Sequence, residues 1–164
     1  MKYNLVTISA ISAVFMNPLF SSFHEDSTVT TSEGRIGIGR LRVGQKVNSY
    51  SPISTAMGKA EVMYRAQSYR FTRSCIDIDI GARIIRAMPD QLFFDLGGRR
   101  WIRAKSLDED KHVLLGEDGS PITIKDVQLR KKRLLSFPIE LSVHSPGKAL
   151  FVDGVLCYSE DINK

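Results

Sequence analysis

Between residues 84 and 115 the chain cannot hold one direction for long. Short apolar runs alternate with turn-forming clusters, and that rhythm admits strands and excludes helices. Ile84-Ile85 begins a strand, which breaks at Met88-Pro89-Asp90-Gln91. A second strand runs through Leu92-Phe93-Phe94. Gly97-Gly98 then reverses the chain into Arg99-Arg100-Trp101-Ile102, the pattern of a β-hairpin. Ala104-Lys105-Ser106-Leu107 leads into a charged turn, and Val113-Leu114-Leu115 is a further strand.

The same alternation extends outward. Cys75-Ile76-Asp77-Ile78-Asp79-Ile80 places its isoleucines on one face of a strand and its aspartates on the other. Thr28-Val29-Thr30-Thr31 is β-branched, with a turn at Ser32-Glu33-Gly34. Residues 36–43 alternate for part of their length. Residues 48–59, rich in Ser, Pro and Gly, read as a loop, and residues 61–65 and 69–73 read as separate strands. Asp118-Gly119 turns the chain into one strand over residues 122–127. The charge run Arg130-Lys131-Lys132-Arg133 reads as a solvated turn, and residues 137–144 and 149–158 as two more strands. No segment sustains a 3.6-residue period and no repeat is present, so an all-β single domain is expected.

A chain of 164 residues supports one core, and 43% hydrophobic with 25% charged residues is the balance of a folded protein. The net charge of +5 suits an acidic partner without naming one. The two cysteines, Cys75 and Cys157, are too few for a disulfide framework and read as small buried hydrophobes; a bridge between them would require an oxidising compartment. His24, His112 and His144 lie on separate segments without ligand spacing, so neither a metal nor a cofactor is expected. Lys2 and the apolar run after it have the form of an export signal, making residues 1–21 a leader and the chain a candidate for secretion, with no stable membrane span. The other reading of that run is an element packed on the domain.

Taken in order, these features resemble the Hint domain, the self-processing module of inteins and hedgehog proteins. In that family a strand ends in Thr-Pro-Asp-His. An aromatic strand, a Trp, an Ala-x-x-Leu and a Gly-containing strand pair follow. Leu41-Arg42-Val43-Gly44-Gln45-Lys46-Val47 is similar to the family's Leu-x-x-Gly-Asp-x-Val. Ser22-Phe23, Val29, Thr31 and Gly34 fit its opening, with Asp26 at a Gly position. Phe151-Val152-Asp153-Gly154-Val155-Leu156 fits its final strand. The resemblance covers residues 22–159, leaving 160–164 as a tail, and implies a flattened all-β horseshoe.

It also implies where chemistry would sit. The first residue of the module attacks the carbonyl before it, so Ser22 takes the place of the nucleophile. The family Thr and His fall on Met88 and Gln91. Met88 has no hydroxyl, and Gln91 can donate a hydrogen bond but cannot shuttle a proton. The terminal His-Asn pair falls on Tyr158 and Ser159, and a serine cannot form the succinimide that releases a downstream segment. The leading expectation is therefore a degenerate, inactive Hint-like domain with a binding or structural role toward a protein or peptide partner. A second reading keeps self-cleavage at Ser22, with Gln91 and His144 assisting. In a third, Arg130, Lys131, Lys132 and Arg133, with Arg99, Arg100, Arg103 and Lys105, form a basic face for nucleic acid.

Overall fold

A computed structural model of the protein describes residues 21–68 and 72–159. The N-terminal apolar stretch, Tyr69-Arg70-Phe71 and the tail lie outside the described residues. The described chain forms antiparallel strands joined by turns, two of which are short 3-10 turns at Ile38–Arg40 and Ala104–Ser106.

The first five strands are β1 (Ser21–Phe23), β2 (Thr28–Thr31), β3 (Gly34–Gly37), β4 (Lys46–Ser51) and β5 (Ala56–Gln67). The middle of the chain supplies β6 (Thr72–Asp79), β7 (Ile84–Ala87), β8 (Leu92–Asp95) and β9 (Arg100–Arg103). It continues with β10 (Val113–Leu115) and β11 (Pro121–Thr123). Last come β12 (Asp126–Ser136), β13 (Ile139–His144), β14 (Ala149–Val152) and β15 (Val155–Tyr158). The main sheet runs β1-β13-β5-β4-β2-β14-β15-β8-β10-β11, with β3 added to β2 and β9 to β8. The second sheet is β12-β6-β7.

The order puts the end of the chain in the middle of the main sheet. β14 and β15 are buried on both faces, which is why their sequence is a nearly unbroken apolar run. Leu150, Val152, Val155 and Cys157 face the principal core, while Ala149, Phe151 and Leu156 pack with Phe94 and Leu115 in a second cluster. Trp101 closes that second cluster, meeting Phe94 and Tyr158 edge to face at centroid distances of 5.3 and 5.4 Å.

The hairpin at Gly97-Gly98 forms with the expected pairing, Phe93 opposite Ile102 and Phe94 opposite Trp101. Ile76 and Ile78 face the core together, and Asp77 lies on the opposite face, where Arg86 and Arg130 pair with it. Elsewhere the strands depart from the sequence reading. Residues 48–59 are not a loop but most of the β4–β5 hairpin, paired from Lys46↔Glu61 to Ser51↔Ala56. Val47, Ser49 and Ser51 alternate inward, and the Ser49 hydroxyl donates to the Ala149 carbonyl at 2.7 Å. Small polar side chains thus occupy core-facing positions once a backbone acceptor is within reach. The alternation after Ile36 stops at Gly37, where the 3-10 turn begins. Residues 122–127 divide between β11 and β12, and the chain crosses to the second sheet at Lys125, whose N–H donates to Asp79.

The basic run is strand rather than turn. It lies in β12, an edge strand, where Lys and Arg discourage pairing with a foreign strand. Residues 149–158 are a hairpin rather than one strand. Asp153 and Gly154 both adopt positive φ, 51° and 74°, which is the geometry of a type I′ turn. The Asp153 carboxylate accepts from both the N–H and the hydroxyl of Thr28, fixing this turn against β2.

Candidate functional site

The positions singled out in the sequence fall in two places. Ser22 lies on β1 opposite Glu140 of β13, half-buried at the edge of the main sheet. Ser159 follows β15 directly. Its N–H donates to the Lys148 carbonyl at 2.7 Å, and its buried hydroxyl donates to the Leu141 carbonyl at 3.2 Å. Leu141 is the residue of β13 that pairs with Ser21. The first strand and the end of the last therefore meet on one stretch of β13.

Gln91 is drawn to the same end. The turn after β7 is held by its own backbone, with Gln91 N–H to Met88 O, Ala104 N–H to Gln91 O and Lys105 N–H to Pro89 O. Outside it, Asp90 pairs with Lys105 at 2.7 Å. The Gln91 side chain is buried, and its Nε2 donates to Cys157 Sγ at 3.3 Å. Cys157 is fully buried opposite Phe93 and its sulfur lies 3.5 Å from the Val155 carbonyl. Burial pushes its thiol well above the ordinary value, so it stays protonated and is a poor nucleophile. Met88 is buried as packing. Tyr158, in the place of the penultimate His, stacks edge-on against Trp101.

His144 is not brought to this end. It is exposed, opposite Glu61, and lies four residues along β13 from the partner of Ser22, a separation of about 13 Å along a strand. The other two histidines are buried and structural in their contacts. His24 Nδ1 accepts from the Asp26 N–H at 3.2 Å, and His112 Nδ1 accepts from the Asp108 N–H at 3.0 Å. The cations of the nucleic-acid reading largely face protein acceptors. Arg130 pairs with Asp77 at 3.3 Å, Arg100 approaches Asp95 at 3.9 Å, and Arg103 with Lys105 faces Asp90. Lys131 is exposed, and the side chains of Lys132 and Arg133 lie outside those described.

Sequence reasoning missed a second polar constellation, made by one short strand and three turns. Arg35 of β3, Arg83 of the β6–β7 turn, Lys125 of the β11–β12 crossing and Gly154 of the β14–β15 turn surround a depression of about 530 Å³. No motif marks it, because each residue comes from a different part of the chain.

The described residues have the fold of solved Hint-like intein domains. The chain is similar in structure to a bacterial intein-like domain from Clostridium thermocellum, with a TM-score of 0.74, 18% identity, and coverage of 85% of this chain and 99% of that one. It is also similar to the DnaB intein of Synechocystis sp. PCC 6803, with a TM-score of 0.71, 13% identity, and coverage of 85% and 98%. The gp41-1 intein matches with a TM-score of 0.66 and 17% identity over 84% of this chain and 98% of that one. No protein-family model matches the sequence, and no curated protein matches it.

Proposed function

We propose that residues 22–159 form a Hint scaffold whose processing end has become part of the core, serving a binding or structural role rather than self-cleavage. The observation that carries this reading is the Gln91 side chain. It stands at the position of the family's proton-transferring His, buried and hydrogen-bonded to a neutral thiol. An amide cannot protonate a leaving amine, and losing that acid costs an acyl transfer about two to four orders of magnitude in rate. Met88 withdraws the hydroxyl that would help hold the scissile peptide. Ser159 spends its own hydroxyl on Leu141.

The test is the intact mass of the purified full chain and of Ser22→Ala after a day at neutral pH with added thiol. A single uncut mass for both supports the scaffold reading. A thiol-dependent product beginning at Ser22, lost in Ser22→Ala, would overturn it. A cut near Ser22 that needs passage through an exporting cell, without thiol, would instead identify residues 1–21 as a removed leader and leave the scaffold reading standing.

A further inference from the structure

We propose that the depression around Arg35, Arg83, Lys125 and Gly154 binds a small organic phosphate monoester. It lies at the far end of β15 from Ser159, about 16 Å away for five residues of extended chain, so it stands independently of what the Ser22 end does. Its volume of about 530 Å³ is that of a small-molecule site.

The first observation is the closeness of two like charges. A Cβ placed on Gly154 would lie 2.5 Å from Arg83 Nη2 and 3.3 Å from Arg35 Nη2, so both guanidinium groups converge on the space above the glycine. Arg83 is held there by a hydrogen bond from Nη2 to the Asp153 carbonyl. Like charges at this range repel, and an oxyanion between them relieves the repulsion while accepting from both planar donors. Gly154 serves the arrangement twice. Its φ of 74° completes the turn, and its missing side chain leaves the guanidinium groups room.

The second observation is that two of the three cations lack a carboxylate partner. Among the described residues neither Arg83 nor Lys125 has a carboxylate at salt-bridge distance. Two acids do line the depression, and both are committed. Glu117 accepts from Asn48 at 2.6 Å and from Thr30 at 3.0 Å, and only its second oxygen faces Arg35, at 3.8 Å. Asp118 is turned into its own hairpin, where the hydroxyl and N–H of Ser120 hold its carboxyl below the ordinary range. The three cations exceed the two carboxylates by one charge, so the depression favours an anion, and a phosphate monoester is preferred to a carboxylate because its three acceptor oxygens can take donors from two converging guanidinium groups at once. Ile80, Pro121 and Ile122 supply an apolar wall for the carbon body that carries the phosphate.

The test is calorimetric titration of the full chain at low salt with phenyl phosphate, inorganic phosphate and phenol, with phosphatidic acid vesicles as a separate arm. The expected result is saturable binding of phenyl phosphate, at least about tenfold tighter than inorganic phosphate, with none for phenol. Arg83→Gln/Lys125→Gln, checked for an unchanged thermal melt, weakens phenyl phosphate by at least about tenfold. Arg83→Lys recovers part of the loss relative to Arg83→Gln. Absence of saturable binding would overturn the proposal, as would equal affinity in the double variant. Binding to vesicles alone would overturn it too, by moving the phosphate to a lipid surface.

Discussion

The two ends of the β14–β15 hairpin have opposite characters. At the Ser159 end the polar groups are few and mostly buried: Gln91 Nε2 donates to Cys157, Ser159 to Leu141, and Tyr158 packs on Trp101, while Gln91 Oε1 is buried with no hydrogen-bond partner among the described residues. At the Gly154 end the cations outnumber the acids and two of them converge over a glycine. Under the proposed scaffold reading, the reaction is lost while a polar end is kept. On that reading, the end that carries chemistry in the resembled family is largely packed as core, where the unpaired Gln91 Oε1 is a costly exception. The Gly154 end holds a cationic surplus, in which Arg83 and Lys125 have no carboxylate at salt-bridge distance among the described residues.

That contrast can be broken most sharply at Phe93, which is fully buried opposite Cys157. Phe93→Ala is expected to cost about 3–5 kcal/mol in urea unfolding, since it removes a ring from the closed end. A loss under about 1 kcal/mol would mean that this end is loosely packed. A pH series sharpens the same point through Cys157. Its folded thiol is raised by burial, so the unfolded state ionises first and the stability it contributes is complete below the ordinary value of 9.0. Above that pH, stability should fall by about 1.4 kcal/mol per unit more steeply than in Cys157→Ala. Parallel curves would show the thiol to be solvated. Ser159→Ala should cost about 1 kcal/mol through the lost bond to Leu141, measured as a shifted urea midpoint at constant slope. The smallest effect is expected at the open end, where Arg83→Gln should change stability by less than about 0.5 kcal/mol. A large loss there would make Arg83 a structural residue and not a ligand-binding one.

Much of this fold is legible in the sequence, and for definite reasons. The alternation of Cys75-Ile76-Asp77-Ile78 fixes two faces, Gly97-Gly98 fixes a turn, and the order of the motifs fixes their connection. The β4 strand escapes notice because serines fill its inward positions, and only the distant Ala149 carbonyl makes that affordable. The β14–β15 hairpin reads as one strand because both of its faces are buried, which erases the alternation. Positions 88, 91, 158 and 159 are identifiable from the resemblance, but what replaced their chemistry is not. The Gln91–Cys157 contact joins residues far apart in the chain, and nothing local to either announces the other. The depression around Gly154 is less legible still. Arg35, Arg83 and Lys125 look like scattered surface charges until the two sheets bring them together.

The closed state of the Gln91–Cys157 end is tested most directly by alkylating the native full chain with iodoacetamide across a urea series and mapping the modified cysteine by peptide mass. The structure predicts that Cys157 stays unmodified in native buffer and reacts only as the whole chain unfolds. Modification of Cys157 in native buffer, at urea concentrations far below the unfolding midpoint, would contradict it. That outcome would mean that the end of β15 opens while the domain stays folded, and that the Gln91 side still admits a reagent.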